Sequence, residues 1–279
     1  MSTVGSETTP VSSLASPVGV FGGSGFYEFL DDVEQVEIDT PFGPPSGPVA
    51  LATVAGRRVA FIARHGAGHR FGPNQVPARA NLWAMRTLGV QQILGPCAAG
   101  SLRREVEPGH FVVLDQLVDR TWGRPDTFYD QGNVHHVSLA EPYCPELRSA
   151  ALSAGEACGI MMHDRGTVVV IQGPRFATKA ESRWYRAQGW DTINMTQYPE
   201  AHLARELGIC YAGIALVTDY DTGVEDDPKV EPVSQEQVFA FFEANVHKVR
   251  ELLVTLIPTL PTAPSCSCAQ AVGPLPYTV

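Results

Sequence analysis

Two carboxylates follow an apolar run near the C-terminal third of the chain, in the sequence TDYD at 218–221. The run over 210–218 is typical of a buried strand. Asp219 and Asp221, two residues apart on an extended segment, are expected to point to the same side, about 7 Å apart. Burial and like-charge proximity would raise one pKa, so that this acid could protonate a leaving group. A helix-capping pair or a metal site would use the same residue types.

The same pair of acids could also select a base. An ionised carboxylate accepts hydrogen bonds and cannot donate them. Adenine presents an amino group beside N7, whereas a 6-oxopurine presents an oxygen at that position. Asp219 and Asp221 therefore favour adenine.

Residues suited to anion binding follow two other apolar runs. GGSG at 22–25 frees backbone N–H groups and adds the Ser24 hydroxyl, although a plain turn has the same composition. Arg64 closes a buried strand, where its guanidinium needs an anionic partner, either a structural carboxylate or a phosphate. His65 beside it is either a phosphate ligand or a structural histidine. GGSG fits neither a Walker loop nor a dinucleotide fingerprint.

Small or polar residues end three further runs, at 97–101 (CAAGS), 173–176 (GPRF) and Met195-Thr196. Exposed amides at 97–101 favour an anion cradle. Cys97 itself is predicted to be a small buried residue and not a nucleophile, because no base lies beside it in the sequence. Ligands of α/β sheets bind beyond the carboxyl ends of the strands. The six strand ends therefore predict one shared site.

The elements that position these residues alternate between short β-branched runs and longer helical patterns. The predicted strands cover 18–21, 49–54, 57–63, 93–94, 111–118, 166–172, 192–195 and 210–218, with a hairpin turn near Gly56. The predicted helices cover 75–89, a segment that starts at Pro199, and 238–256, which Pro258 ends. This alternation predicts one α/β domain with helices on both faces of a central sheet.

Composition limits the classes of partner. The chain has 279 residues, and its 30 acidic against 20 basic residues give a net charge of −10. We find no Lys/Arg cluster that could follow a phosphate backbone, so no nucleic-acid partner is expected. No run approaches the roughly 20 apolar residues of a membrane span.

The two ends of the chain differ in composition from the 18–258 domain. Residues 1–17 are predicted to be a flexible leader and not a signal peptide. Residues 259–279 form a Pro/Ser/Cys-containing tail, in which Cys266-Ser-Cys268 suggests either a metal or redox role or, the favoured interpretation, a disordered tail. The six cysteines are scattered through the chain, which suits reduced thiols in a cytoplasmic enzyme.

These motifs, in this order, resemble the methylthioadenosine phosphorylase branch of the trimeric purine nucleoside phosphorylases. The resemblance covers residues 18 to about 258. It is carried by the stretches GVFGGSGFY (19–27), DTPFGPPS (39–46), ARHGAGHRFGPNQVPARANLWAMRTLG (63–89), AAGSLRREVEPG (98–109), DQLVDRTWGRPDTFYD (115–130), EPYCP (141–145), IQGPRFATKAES (171–182), INMTQYPEAHLARELGICYA (193–212) and TDYD (218–221).

The resemblance implies a single-domain phosphorylase/hydrolase-like α/β fold with a central mixed sheet. It also implies a homotrimer, with a hexamer as the alternative, and no metal or organic cofactor. The expected reaction is phosphorolysis of S-methyl-5′-thioadenosine to adenine and 5-methylthioribose 1-phosphate, with inorganic phosphate as co-substrate. The alternatives are another 5′-substituted 5′-deoxyadenosine, a 6-oxopurine nucleoside, a nucleosidase that uses water, and a purine sensor without catalysis.

The resemblance also implies a role for individual residues. Phosphate-binding positions are Ser24, Arg64, His65, Cys97, Ala98 and Thr196. Substrate-binding positions are Phe176 against the base, Met195 against the ribose, and Asp219, Tyr220 and Asp221, with Asp219 as the proton donor to N7.

Three residues depart from the family pattern and bear on specificity. Cys97 stands where the family usually has a threonine hydroxyl on the phosphate. Ala177 replaces a serine near the base. Gln235 takes the place of an apolar residue near the 5′ substituent, although a length difference at 224–232 affects that alignment. A polar group there would suit a thioether less well.

Overall fold

The computed structural model describes residues 16–22, 33–132, 134–222 and 233–278. Ser24, most of the 1–17 leader and the 224–232 segment lie outside these residues. No helix in the described ranges is both long and apolar enough to cross a membrane.

Eleven strands join into one mixed sheet within the described residues. They are β1 (Val18–Gly22), β2 (Glu34–Val36), β3 (Val49–Val54), β4 (Arg57–Ala63), β5 (Gln92–Ser101), β6 (Phe111–Val113), β7 (Gln116–Arg120), β8 (Met162–His163), β9 (Thr167–Ile171), β10 (Thr192–Asn194) and β11 (Cys210–Asp219). The order is β2-β3-β4-β1-β5-β10-β9-β7, while β11 pairs with β5 and β6, and β8 pairs with β6. The predicted α/β fold and the β3–β4 hairpin are confirmed.

Strand β5 is the centre of this sheet. It runs parallel to β1 and β11, and its last residues pair antiparallel with β10. Because parallel strands end at the same edge, the carboxyl ends of β1, β4, β5 and β11 meet there.

The strand predicted over 111–118 is wrong, because the structure divides it into β6 and β7. Strand β6 pairs with β11, whereas β7 pairs with β9. Asp115 lies at the break, where its side chain accepts a hydrogen bond from the amide of Gly166. A continuous apolar pattern does not show such a change of partner strand, and the one charged residue in it marks the position.

Five α-helices flank the sheet in the described residues: α1 (Ala78–Thr87), α2 (Pro145–Ala157), α3 (Lys179–Ala187), α4 (Gln197–Glu206) and α5 (Gln235–Leu256). The helices predicted over 75–89, from Pro199 and over 238–256 correspond to α1, α4 and α5. Tyr198 has extended φ and ψ, so the regular turns of α4 begin at Pro199, as predicted. The sequence prediction missed α2 and α3.

Two apolar cores lie on opposite faces of the sheet, because side chains alternate along the buried strands. On β11, Tyr211, Ala215 and Val217 belong to one core, which α1 and α4 cover. Cys210 and Leu216 belong to the other, which α2 and α5 cover. This is the predicted arrangement of helices on both faces.

The C-terminal segment after α5 packs against the domain, so the expectation of a disordered tail is wrong. The Tyr277 ring lies 4.7 Å from Phe42 and 5.9 Å from Trp83, between ring centroids. Cys268 begins a 3-10 helix over Cys268–Ala271 and is buried. A Pro- and Ser-rich composition is typical of a disordered tail, and it gave no indication that a few side chains anchor this segment.

Candidate active site

The candidate site extends along the C-terminal half of β5. At one end, Nη1 of Arg64 donates to the carbonyl oxygen of Pro96 at 3.0 Å. At the other, Asp219 lies against Gly100, where a Cβ would come within 2.9 Å of Asp219 Oδ1, so glycine is needed for this approach. Four residues of strand separate these contacts, a rise of about 13 Å. One elongated ligand could therefore contact both ends.

Arg64 is almost fully buried, with 2% of its surface exposed, and it forms a two-pronged ion pair with Glu200. The distances are 2.6 Å from Nε to Oε1 and 3.0 Å from Nη2 to Oε2. Burial lowers the pKa of Arg64 and the Glu200 carboxylate raises it, with a net shift upward. The sequence left open whether the partner of Arg64 is a structural carboxylate or a phosphate. The structure shows a structural carboxylate, that of Glu200. Among the described residues, three of the five guanidinium N–H groups donate to Glu200 or to the carbonyl oxygen of Pro96, which leaves two for a ligand.

A buried hydrogen-bond network lies beneath this ion pair. Tyr211 donates its hydroxyl to Glu200 Oε2 at 2.7 Å, and Gln197 donates to the Tyr211 hydroxyl oxygen at 3.4 Å. A Cβ at Gly95 would overlap the Tyr211 hydroxyl, so the network requires glycine at this position of β5. The network fixes Glu200, and Glu200 fixes the plane of the Arg64 guanidinium.

His65 follows Arg64 and is held in one tautomer. Its Nδ1 lies 2.9 Å from the carbonyl oxygen of Phe71, which only accepts, so Nδ1 carries the proton. Burial, followed by the charge of Arg64, lowers the pKa of His65 to about 4. The ring is therefore neutral near pH 7, and Nε2 is an acceptor. The ring stacks on His69, with centroids 4.2 Å apart.

Cys97 on β5 is buried next to this network, as predicted. Its Sγ accepts hydrogen bonds from Asn194 at 3.4 Å and from Gln197 at 3.5 Å. Burial raises the pKa of the Cys97 thiol. A protonated thiol with these partners does not act as a nucleophile at neutral pH.

Ala98, Met195 and Thr196 are half-buried at the adjoining strand ends. Thr196 immediately precedes α4, yet its hydroxyl makes no capping hydrogen bond to that helix. It lines a cleft together with Glu200 and Arg124. Arg124 donates to the backbone oxygens of Met195 and Tyr198 at 2.9 and 2.6 Å, and so fixes the turn between β10 and α4.

Asp219 ends β11, and both its oxygens already accept a hydrogen bond. The Thr218 hydroxyl donates to Oδ2 and the Asp221 amide donates to Oδ1, each at 2.7 Å. Burial nevertheless raises the pKa of Asp219.

The backbone of Asp221 is not extended, as the sequence had predicted it to be. The strand register shifts between Val217 and Asp219, and Asp221 has φ +53°, a left-handed conformation. The two acids therefore do not lie on one extended segment, because the strand ends before the second acid. The carboxyl of Asp221 is 3% exposed, and its Oδ2 has no hydrogen-bond partner among the described residues. Burial, partly opposed by the nearby Ser182 side chain and the Thr222 amide and helped by the charge of Asp219, raises its pKa to about 6.

Three other predicted site residues, on the segment after β9 and in this turn, differ in burial and in contacts. Ala177 is buried, and its carbonyl oxygen accepts from the Thr222 hydroxyl at 3.2 Å, while Phe176 before it is half-buried. Tyr220 donates its hydroxyl to the carbonyl oxygen of Arg104 at 3.3 Å, so that hydroxyl is engaged with backbone. These contacts tie the segment after β9 to the turn that carries the two acids.

Gln235 is an exposed residue at the start of α5. One helical turn later, the Phe239 ring meets His69 edge-on at 5.5 Å between centroids. Because residues four apart share a helix face, Gln235 lies on the face of α5 that approaches the His65–His69 segment. In the described ranges, no hydrogen bond joins Gln235 to either acid.

The sequence prediction missed Glu200, Gln197, Asn194 and Arg124 as parts of the site. Three of them lie in the single run INMTQYPE at 193–200, where polar residues interrupt a buried strand end and the helix that follows. The charge of Arg64 called for an anionic partner, and Glu200 lies four residues after the Met195-Thr196 strand end, but Asp219 and Asp221 offered the same charge. Arg124 carries no such signal, because its partners are backbone carbonyl oxygens and the neutral side chain of Gln172.

The chain is similar to known proteins over almost its whole length. A purine nucleoside phosphorylase of Streptomyces coelicolor is 51% identical over 94% of this chain and 96% of its own length. An S-methyl-5′-thioadenosine phosphorylase of Mycolicibacterium smegmatis is also 51% identical, over 90% of this chain and 93% of its own. A solved structure shares 36% identity and a TM-score of 0.84, covering 91% and 95% of the two chains. It is a double mutant of the adenosine/methylthioadenosine phosphorylase of Schistosoma mansoni in complex with adenine.

The sequence comparison extends to the family level. Residues 17–258 match the phosphorylase superfamily, a span that contains both acids, the Arg64–Glu200 pair and the strands that carry them. The chain belongs to the phosphorylase superfamily.

Proposed function

We propose that this chain catalyses phosphorolysis of S-methyl-5′-thioadenosine, releasing adenine and 5-methylthioribose 1-phosphate. One observation carries the proposal: among the residues that the structure describes, the buried Asp221 carboxyl has an oxygen without a hydrogen-bond partner, beside Asp219 at the end of β11. A buried carboxyl oxygen without a partner is costly unless a ligand completes it. The adenine bound to a structural relative and the names of several sequence relatives support this substrate class.

At the base end, the two acids take different roles. The Asp221 pKa of about 6 leaves this carboxyl mostly ionised at pH 7.5, so its free Oδ2 accepts from the adenine amino group. The resemblance assigns the proton transfer to N7 to Asp219, which would act as the bond to the sugar breaks, and burial raises the pKa of this carboxyl as well. The negative charge that develops on the base is thereby neutralised in the transition state.

At the opposite end, Arg64 contributes mainly the direction of its hydrogen bonds to phosphate and little net charge. Glu200 already neutralises the guanidinium, so the two remaining N–H groups act as directed donors. The Thr196 hydroxyl and the N-terminus of α4 supply further donors, and the resemblance adds Ser24 and Ala98. Neutral His65 accepts from the protonated oxygen of phosphate or from a sugar hydroxyl through Nε2. Phosphate held in this way is positioned to attack C1′.

The remaining features of the proposal follow from the resemblance and from the composition of the chain. We infer that inorganic phosphate is the co-substrate and that no metal or organic cofactor takes part in the reaction. We further propose a cytoplasmic homotrimer that binds small molecules only and neither nucleic acid nor membrane. Light scattering on the purified chain of 30.1 kDa separates the trimer from a hexamer or a monomer by mass.

A second candidate is phosphorolysis of 6-oxopurine nucleosides. A relative named purine nucleoside phosphorylase is as similar to the chain as one named for methylthioadenosine. The pKa of Asp221 supplies a physical route, because a protonated carboxyl could donate to the 6-oxo oxygen. Exposed Gln235, at the position that the resemblance places near the 5′ substituent, also suits a 5′-hydroxyl better than a thioether.

The test is base release from S-methyl-5′-thioadenosine, adenosine and inosine, each with and without phosphate at pH 7.5. We expect the highest kcat/KM for methylthioadenosine and no turnover without phosphate. Faster cleavage of inosine would instead establish the second candidate. Equal rates without phosphate would show a nucleosidase, and adenine binding without turnover would show a sensor.

A further inference from the structure

Four of the six cysteines meet at one point, far from the candidate active site. Cys144 precedes α2, Cys210 begins β11, and Cys266 and Cys268 lie in the C-terminal segment. All four sulfur atoms lie within 4.8 Å of one another. Nine residues of β11 separate Cys210 from Asp219, a rise of about 30 Å. The cluster is therefore not part of the nucleoside site.

The distances between the sulfur atoms are close to those in a tetrahedral metal site. The Sγ of Cys266 lies 3.7 Å from that of Cys144 and 3.3 Å from that of Cys210, and all four residues are free thiols. Four sulfurs at the Zn–S distance of about 2.3 Å from a tetrahedral zinc are about 3.8 Å apart. Three separate segments of the chain thus bring their sulfurs to nearly this spacing.

The surrounding fold holds these residues in place. Cys144, Cys210 and Cys268 are each at most 3% exposed. The amide of Cys144 donates to the carbonyl oxygen of Tyr211 at 2.9 Å, which joins α2 to β11. Cys144 also stands at the N-terminus of the 13-residue helix α2, whose dipole favours a thiolate. Ser265 binds Glu146 of the same helix and brings the C-terminal segment to it.

We propose that Cys144, Cys210, Cys266 and Cys268 bind one Zn²⁺ in a closed structural site. Zn²⁺ replaces the four thiol protons, which pass to the solvent, and no electron is transferred. Four thiolate ligands in tetrahedral geometry select zinc over calcium or magnesium and leave no open position for catalysis. The ion ties the C-terminal segment to α2 and to the first residue of β11.

The first test is the metal content of the full-length chain, produced with zinc in the medium and purified under reducing conditions without chelator. We expect elemental analysis by mass spectrometry to find one zinc ion per chain. Cys266→Ser with Cys268→Ser should abolish it, whereas Cys158→Ser, outside the cluster, should keep it. Substitution of cobalt should give the strong visible absorption of a tetrahedral thiolate complex.

Measurements on the unmutated chain cover the case in which the double variant fails to fold. We expect zinc to protect the four cluster thiols from alkylation while Cys158 reacts, and a thiol reagent to release the zinc. Zinc removal should lower the melting temperature, with phosphorolysis at 25 °C retained, so this proposal and the proposed function can fail independently. Reduced chain that binds no zinc from excess, or that contains two disulfides in place of thiols, would overturn the site.

Discussion

The two ends of the candidate site differ in how completely their buried charged groups are paired. At the phosphate end, Arg64 is paired with Glu200, and Tyr211 continues the network. At the base end, Asp221 has an oxygen without a hydrogen-bond partner in the described part of the chain, and burial raises its pKa to about 6. One end has its protein partners in place before any ligand binds, whereas the other leaves a hydrogen bond for the ligand.

This difference assigns orientation to one end and discrimination to the other. A guanidinium that is already neutralised cannot contribute much net charge, but its plane is fixed and its free N–H groups have defined directions. A buried carboxyl oxygen without a partner penalises any base that fails to complete it. We therefore expect substitutions at the two ends to change different kinetic parameters.

The largest expected effect is that of Asp219→Asn on kcat. Loss of a general acid typically costs about 10²- to 10⁴-fold in rate, and the amide retains the shape of the side chain, so KM should change little. Steady-state kinetics with methylthioadenosine measure both quantities. Asp221→Asn is the matched variant, because its amide both donates and accepts. We expect it to raise inosine cleavage relative to methylthioadenosine. An unchanged kcat in Asp219→Asn would remove this residue from the acid role.

Arg64→Ala should weaken phosphate binding and destabilise the fold together. Loss of a charge-assisted bond of about 2–3 kcal/mol predicts a KM for phosphate roughly 30- to 150-fold higher. The variant also leaves Glu200 buried without its partner, at a cost of about 3–5 kcal/mol in unfolding free energy.

The double variant Arg64→Ala with Glu200→Gln separates these two effects. It should recover much of the stability, because no buried charge remains, while the KM for phosphate stays high. Phosphate titrations and denaturant unfolding of both variants provide the measurement. A phosphate KM that returns to its original value in the double variant would show that Arg64 serves only to pair with Glu200.

Stability should depend on pH through Asp221. Its pKa is raised from 3.8 to about 6, so the folded state binds the proton more tightly than the unfolded state. The carboxyl therefore contributes stability at low pH, and this contribution is lost as the pH rises from about 4 to above 6, by at most about 3 kcal/mol. In Asp221→Asn this pH-dependent loss of stability should be absent, because the amide does not titrate. Urea unfolding at pH 5 and pH 8 should show a smaller decrease for the variant, and parallel decreases would contradict the raised pKa.

Much of the layout follows from sequence pattern, because buried strands and their ends leave strong local signals. The hairpin at Gly56, the start of α4 at Pro199 and the strand that leads to Asp219 were all predictable in this way. The positive φ of Asp221 was not, because an acidic residue does not specify a turn in the way that glycine does.

Contacts between residues far apart in the sequence could not be predicted either. Arg64 and Glu200 are 136 positions apart, and Cys144 and Cys266 are 122 apart. Composition made the cysteines look scattered, and only the fold brings four of them together. Long-range pairing depends on strand order, which residue types along one chain do not encode locally.

The smallest expected effect sharpens the description of the phosphate end. Cys97 accepts from Asn194 and Gln197 at the edge of that network, where the resembling family usually has threonine. Cys97→Thr keeps an acceptor for both amides and adds a donor, worth about 0.5–1.5 kcal/mol, so the KM for phosphate should fall about 2- to 10-fold. Cys97→Val has the shape of threonine without its hydroxyl and should not lower KM. If both variants lowered KM alike, the gain would come from packing, and the thiol position would not face the phosphate.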